Sequence, residues 1–337
     1  MNPIGPCPGS IPSRSVPPVV TIADVARHAG VASSTVSYVL TGRRSISPET
    51  TARVWDSIRT LGYRPRGAAA PPAARNSVGV VLPLRDGVNV AVAMRFVRAI
   101  VAAAREVGRD VLLSTGDDGL SDLARMTEAP VAGMIVMDVE IRDARLPALR
   151  ASRIPSVLIG LPADTSALNC VDLDFAAAYA LCVDHLADRG HRDIALLGAP
   201  KSVYERNTSY AHHGMAGFAG AALRRGVTSV VKPCEADGSA VLGVLSERPE
   251  ITGFVVHNEA ALQFVLAALE SAGRNTDLVA ICPDEVAERV RPRVCSVHLP
   301  AEDLGRRAVE TLLNLMGGAV TASVQLTPPT LTLRDSH

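Results

Sequence analysis

Between Thr21 and Leu61 the apolar residues recur at helical spacing in three short groups. Ile22, Val25 and Ala26 form the first stripe, and Thr21 with Asp24 has the spacing of a capping box. This predicts a helix of about two turns, ended where Gly30 takes up a left-handed backbone and Val31 folds back toward the apolar side. A second helix is predicted from about Ser33 to Leu40, with Val36, Val39 and Leu40 inward and Ser33, Ser34, Ser37 and Tyr38 outward. Ser47 as an N-cap, Pro48 at the first helical position, and Val54, Ile58 and Leu61 on one side predict a third helix that closes at Gly62. Two short helices crossed about a glycine turn, with a third supporting them, make a helix-turn-helix. Its second helix leaves a row of small hydroxyls outward, and such side chains allow a helix to approach base edges in a major groove or to bond phosphates. Trp55, the only tryptophan, reads as a partly buried packing residue.

From Val78 onward the pattern changes to short apolar runs separated by helix-length segments. Val78–Leu82 and Asp110–Ser114 read as strands, with a helix from Met94 to Val107 between them that carries Phe96, Val97, Ile100 and Val101 on one face. Gly133–Met137, Ser156–Ile159, Asp193–Leu197, Thr252–Val256 and Leu278–Cys282 continue the strand series. Strands alternating with helices predict parallel sheets covered on both faces, and the span is long enough for two lobes. In such sheets ligands sit beyond the carboxyl ends of the strands. The fold class expected is therefore α/β: a three-helix head followed by a two-lobed body with parallel sheets.

Composition adjusts this picture at the ends. Residues 1–20 are rich in Pro, Gly and Ser and lack the apolar run of a signal peptide, so they are expected to be a disordered arm or upstream sequence. The expected domains are a head at 21–65, a hinge linker at 66–77 and the body at 78–337. No apolar stretch approaches the length of a membrane span. The chain is formally neutral, but nine arginines against three acidic residues put the part up to Ser77 at +6, leaving the rest at −6. A basic head on an acidic body is the asymmetry of a protein whose head alone meets phosphates, since each Arg placed on a phosphate releases a counterion.

Catalytic and metal chemistry find little support. Cys7, Cys170, Cys182, Cys234, Cys282 and Cys295 are scattered without C-x-x-C spacing, which suits a reducing cytoplasm rather than a disulfide framework or a zinc site. Gly190 and Gly198 complete no phosphate-binding fingerprint, and no G-x-S-x-G elbow is present. His212 and His213 are adjacent and would point to different sides, so they read as loop histidines rather than ligands. No enzyme, cofactor or metal is expected.

The run T-I-A-D-V-A-R-H-A-G-V-A-S-S-T-V-S-Y-V-L-T-G, with I-S-P-E-T and L-G-Y-R-P after it, resembles the DNA-binding head of the LacI (lactose repressor) family of bacterial transcription regulators. The segments Asp174–Pro200, Gly217–Leu223, His257–Leu262 and Pro292–Gly305 are similar to landmarks of that family's periplasmic-binding-protein-like body. The resemblance thus runs from about Thr21 to the end. It implies base-edge contacts by Ser33, Ser34 and Tyr38, and phosphate contacts by Thr21, Thr35, Ser37 and Arg43, with Arg44, Arg64 and Arg66 adding salt-sensitive affinity. In the body it implies three crossings between lobes, with the helix Ala301–Met316 returning to the first lobe and the final strand to the second. It also implies effector contacts by Asn258 and Asp284.

Three departures qualify what is carried over. Ala32 stands where the family has the serine that caps the recognition helix. Gly214 occupies the position of an arginine that holds sugar hydroxyls, so poor sugar binding is expected. The hinge reads Y-R-P-R-G-A-A-A-P-P-A-A-R-N-S, with no leucine wedge, and Pro71–Pro72 oppose a continuous hinge helix. The function expected is a sequence-specific DNA-binding transcription regulator, a repressor by family default. Its dimer or higher homo-oligomer would read a near-palindromic operator under the control of a small-molecule effector. A small-molecule binding protein without output on DNA is the alternative.

Overall fold

The computed structural model describes residues 20–41, 46–61, 63, 76–274, 276–319 and 322–334. Arg43, Arg44, Arg64, Arg66, Pro71 and Pro72, and with them residues 1–19 of the arm and most of the hinge linker, lie outside the described residues. The described residues fall into two compact units, the head up to Tyr63 and the body from Asn76.

The head contains α1 (Ile22–Ala29), α2 (Ser33–Thr41) and α3 (Pro48–Leu61). The capping box closes as the sequence predicts: Thr21 Oγ1 accepts from the Asp24 amide, and the Asp24 carboxylate accepts from the Thr21 amide at 2.9 Å. Gly30 has φ +66°, and the Val31 amide returns to the Ala26 carbonyl at 3.0 Å. Ser47 caps α3 by accepting from the Thr50 amide at 3.3 Å. Val25, Ala26, Ala29, Val36, Leu40, Val54 and Ile58 form one core, with Val39, Trp55 and Leu61 packed against it. Apolar positions from all three helices meet there because each helix has one apolar stripe and no other place to bury it.

In the body the first sheet draws on β1 (Ser77–Val81), β2 (Asp110–Ser114), β3 (Val131–Val136), β4 (Ser156–Ile159) and β5 (Cys170–Leu173). Between them run α4 (Val90–Glu106), α5 (Gly119–Glu128) and α6 (Leu146–Ala151). The second sheet is fed by α7 (Phe175–Asp188) and contains β6 (Asp193–Gly198), β7 (Thr228–Pro233), β8 (Gly253–Val256), β9 (Asp277–Cys282) and β10 (Cys295–His298). Its connections hold α8 (Lys201–Glu205), α9 (Ser209–Arg225), α10 (Ala240–Glu247), α11 (Leu262–Ser271) and α12 (Asp284–Arg289). The chain ends with α13 (Ala301–Met316), β11 (Val324–Thr327) and β12 (Leu331–Thr332).

The two sheets have matching orders, β11-β5-β4-β3-β1-β2 and β12-β10-β9-β8-β6-β7. All pairings are parallel except β10 with β12. The chain crosses from β5 to the second sheet, returns in α13 against α4 and β3–β5, and crosses once more between β11 and β12. The expected three crossings are present, and β11 adds a pairing with β5 that the sequence pattern does not foretell. Each lobe reverses its winding beside its first strand, at β1/β3 and at β6/β8, and at such switch points the connections leave in opposite directions and open a crevice.

One apolar cluster runs through both lobes, joining Val78, Ile100, Ile135 and Leu312 to Tyr179, Ile194, Phe218 and Val279. Two glycines set the approach of α7 and α9. A Cβ on Gly217 would lie 2.1 Å from the Ala176 carbonyl oxygen, and one on Gly214 would lie 2.3 Å from the Tyr179 ring. A side chain at position 214 would therefore run into a tyrosine ring from the neighbouring helix.

Candidate functional site

Two regions carry polar groups that packing does not absorb. The first is the outer face of α2. Ser33, Ser34 and Tyr38 are exposed, Thr35 and Ser37 are half-buried, and Val36 and Leu40 on the opposite side lie in the head's core. The Ala32 carbonyl takes the Thr35 and Val36 amides at 2.9 and 3.2 Å, so Ala32 is the helix's first acceptor but offers no side-chain cap. Thr21 sits at the start of α1, where its hydroxyl donates to the Asp24 carboxylate at 2.7 Å. The bonds from Thr21, assisted by Arg27, hold that carboxyl below the usual range. Arg27 is exposed on the same helix.

The second region is a cavity of about 150 Å³ in the body. It opens beyond the carboxyl ends of both sheets at their switch points. Leu82 follows β1, Met137, Asp138 and Val139 follow β3, and Asp172 sits in β5. From the second lobe come Arg206, Ser209 and Tyr210 around the start of α9, and His257 and Glu259 just past β8. Val92, Phe96, Phe175 and Leu299 supply much of the apolar wall.

Several polar side chains in this wall are held by identifiable partners. Asn89 caps α4 by accepting from the Val92 amide, and its Nδ2 donates to Glu259 across the lobes at 3.1 Å. Asp138 has a left-handed backbone, φ +50°, and receives Arg85 through Nε and Nη2 at 3.1 and 2.8 Å. Behind it a buried Arg145–Asp143 pair donates one guanidinium N–H to the Asp138 carbonyl at 3.0 Å. This contact helps to fix a conformation that a non-glycine residue adopts only under constraint. The His257 ring lies between Phe175, Tyr179 and Tyr210, at centroid distances of 5.6, 5.3 and 5.2 Å, and Nδ1 meets the Tyr179 hydroxyl.

Burial tunes the titratable groups of the wall. It pulls His257 down to about 4, so the ring is neutral near pH 7. It pushes Glu259 up to about 7, against the opposing pull of hydrogen bonds that include Asn89. It pushes Asp172 up to about 8, and the nearby Asp174 adds to the effect. Arg206 spends one N–H on the Asp86 carbonyl, while its Nε and Nη2 are buried without a hydrogen-bond partner among the described residues.

The two effector contacts expected from resemblance do not reach this wall. Asn258 is buried, with Nδ2 on the Cys234 carbonyl at 2.7 Å and Oδ1 on the Ala260 amide at 3.2 Å, and it is absent from the cavity lining. The extended chain past β8 alternates sides, so His257 and Glu259 face the cavity and Asn258 faces away. Asp284 instead binds Ser296 at 2.6 Å and Arg334 at 3.0 Å, joining the start of α12 to β10 and the C-terminal segment. Burial opposes ionisation there, but Ser296, Arg334 and His298 outweigh it and hold the carboxyl low. His212 and His213 lie half-buried on α9 rather than in a loop, and each bonds a backbone carbonyl, of Tyr204 at 3.2 Å and of Leu161 at 2.9 Å. No helix among the described residues is long and apolar enough to cross a membrane.

Comparison with known proteins agrees with this division. Residues 21–66 match the family model of bacterial regulatory proteins, lacI family, and residues 183–337 match that of the periplasmic binding protein-like domain. Catabolite control protein A of Priestia megaterium is 28% identical over 94% of this chain and 99% of its own length. The HTH-type transcriptional repressor PurR of Edwardsiella ictaluri is 27% identical over 88% of this chain and 90% of its own. A crystal structure of the lac repressor dimer bound to operator and the anti-inducer ONPF superposes with a TM-score of 0.68. It is 23% identical and covers 94% of this chain and 98% of its own.

Proposed function

From the premise that the chain belongs to the lacI family of bacterial regulatory proteins and is a DNA-binding transcriptional regulator, we propose that it is a cytoplasmic repressor. In this reading it binds a near-palindromic operator as a dimer, and a small molecule in the body's cavity modulates its affinity. The observation that carries the DNA-reading half is the outer face of α2, exposed at Ser33, Ser34 and Tyr38 while Val36 and Leu40 anchor its back. Those three side chains read base edges. Thr35 and Ser37, with Thr21 at the start of α1, take phosphates, and Arg43, Arg44 and Arg64 supply charge.

Two recognition helices must lie about one DNA turn apart, which requires two copies of the chain. The body offers a surface for pairing. Edge strand β2 presents Leu112 and Leu113 at 42% and 37% exposure, and an unpaired apolar edge of this kind calls for a cover.

For the effector, the support is the cavity at both switch points, with polar groups converging from both lobes and buried Arg206 donors left without partners. A ligand that contacts both lobes favours one arrangement of them, and linkage carries that preference to operator affinity. The test is selection of bound DNA from a random pool, followed by gel shift on the selected sequence with and without a panel of metabolites. Recovery of a palindromic motif whose binding changes with at least one compound is expected. A pool that yields no preferred sequence would sink the reading and favour a binding protein without output on DNA.

A further inference from the structure

The cavity wall carries an unbalanced set of charges. Three carboxyls line it, Asp138, Asp172 and Glu259, against the single guanidinium of Arg206. Asp138 is neutralised by Arg85 at 2.8 Å, and Arg85 also serves Glu140 at 2.8 Å. The other two carboxyls have no such partner. Asp172 accepts the Leu173 amide at 2.9 Å, and Glu259 accepts the Asn89 amide at 3.1 Å. Among the described residues no cation acts on either, and both are held toward the neutral form by burial.

We propose that the effector is a compact molecule bearing a protonated amine, received by Asp172 from the first lobe and Glu259 from the second. An oxygen of the same molecule accepts from Arg206. The proposal rests on the cavity being the effector site. A buried carboxyl strongly favours an opposite charge over none, so two of them lacking a cation within the protein select a cation from outside. Phe175 and Tyr210 also line the wall, and aromatic rings attract cations through their faces. The unpartnered Nε and Nη2 of Arg206 call for an acceptor, which the ligand's oxygen supplies. Size narrows the class further. A cavity of about 150 Å³ takes a molecule of roughly one six-membered ring, since an apolar cavity of that volume is known to hold benzene.

Calorimetric titration of the full chain with three matched ring compounds tests this: 4-aminocyclohexanol, cyclohexane-1,4-diol and 4-hydroxycyclohexanecarboxylate. The amine is expected to bind at least about tenfold more tightly than the diol, and the carboxylate more weakly than both. In Asp172→Asn the preference for the amine over the diol should shrink to within about threefold, and Glu259→Gln should reduce it as well. Melting curves of both variants establish that they are folded, and either one alone suffices for the comparison. Equal or tighter binding of the diol overturns the amine proposal and leaves the effector reading intact. Failure of the amine to bind at millimolar concentration overturns the proposal likewise. If, in addition, no compound of a broad polar fragment set alters melting or operator affinity, the effector reading fails too.

Discussion

The outer face of α2 in the head and the cavity of the body keep polar side chains available by opposite means. Each must keep polar side chains available while the protein around them stays packed. On α2 a single short helix does this by rotation, with Ser33, Ser34 and Tyr38 outward and Val36 and Leu40 in the core. In the cavity, Asp172, Arg206, His257 and Glu259 come from separate segments of two lobes and are partly or wholly cut off from solvent. An exposed hydroxyl costs the head almost nothing when no DNA is bound. A buried carboxyl without a cation costs the body stability at neutral pH, so function and stability oppose each other in the second region but not in the first.

The largest effect is expected where α7 and α9 approach most closely. Gly214→Arg should cost more than about 3 kcal/mol or prevent folding, because even a Cβ there enters the Tyr179 ring. Urea unfolding of the variant measures it. A stable Gly214→Arg protein would show that the packing of α7 on α9 can open to admit the side chain. Tyr179 also holds His257 through its hydroxyl, so any variant that displaces the ring should loosen the cavity wall as well.

The next effect has a pH signature. Burial raises the Asp172 carboxyl from an ordinary value of 3.8 to about 8. Below pH 4 it is protonated folded or unfolded and contributes no pH dependence. Between pH 4 and 8 the unfolded chain releases the proton while the folded one keeps it, so stability falls as pH rises. Asp172→Asn removes that penalty. It should raise the stability at pH 8, read from urea unfolding, by on the order of a few kcal/mol, and the gain should fade toward pH 4. A gain independent of pH would mean that the side chain's packing, not its charge, sets the difference. The same substitution is expected to weaken the amine preference, which would make it a stabilising change that damages function.

The two regions also differ in how far their residues could be read in advance. Helical periodicity separates inward from outward residues on one continuous segment, so the polar row of α2, the Gly30 turn and both caps were legible. The strand series was legible where apolar runs are long. It failed at β5, where Asp172 interrupts the run, at β7, whose residues are exposed or half-buried, and at the four-residue strands β10 and β11. Missing β5 meant missing Asp172 as a cavity residue. A carboxyl between Val171 and Leu173 was the available signal. No local pattern places Arg206 and Asp172 in the wall of one cavity, since that depends on the crossings between lobes. Resemblance came one residue short at the second lobe, where alternation past β8 gives His257 and Glu259 to the cavity and turns Asn258 away.

A smaller effect tests the head directly. Ser34→Ala with Tyr38→Ala should weaken binding to the selected operator by about 10- to 100-fold, the range for losing specific base contacts. Weak binding to random DNA should stay nearly unchanged, because phosphates supply it. Fluorescence anisotropy on both DNAs at one salt concentration gives the ratio. Equal losses on the two would move these side chains from base edges to the backbone and remove the basis for calling α2 the reader.

The smallest expected effect concerns the residue that begins that helix. Ala32 accepts the Thr35 and Val36 amides through its carbonyl, but its side chain cannot satisfy a first-turn N–H as a serine would. Ala32→Ser should therefore stabilise the head by about 0.5–1 kcal/mol, read as slower hydrogen exchange of the α2 amides in the full chain. Its consequence for binding distinguishes two roles for Ser33. If Ser33 serves DNA alone, a cap at position 32 leaves operator affinity unchanged or slightly improves it by ordering the helix. If Ser33 divides its hydroxyl between the helix end and the groove, the new cap releases it, and the gain in affinity should disappear in the Ala32→Ser, Ser33→Ala double variant. A head that gains neither protection nor affinity would mean that the first turn of α2 is already satisfied without a side-chain cap.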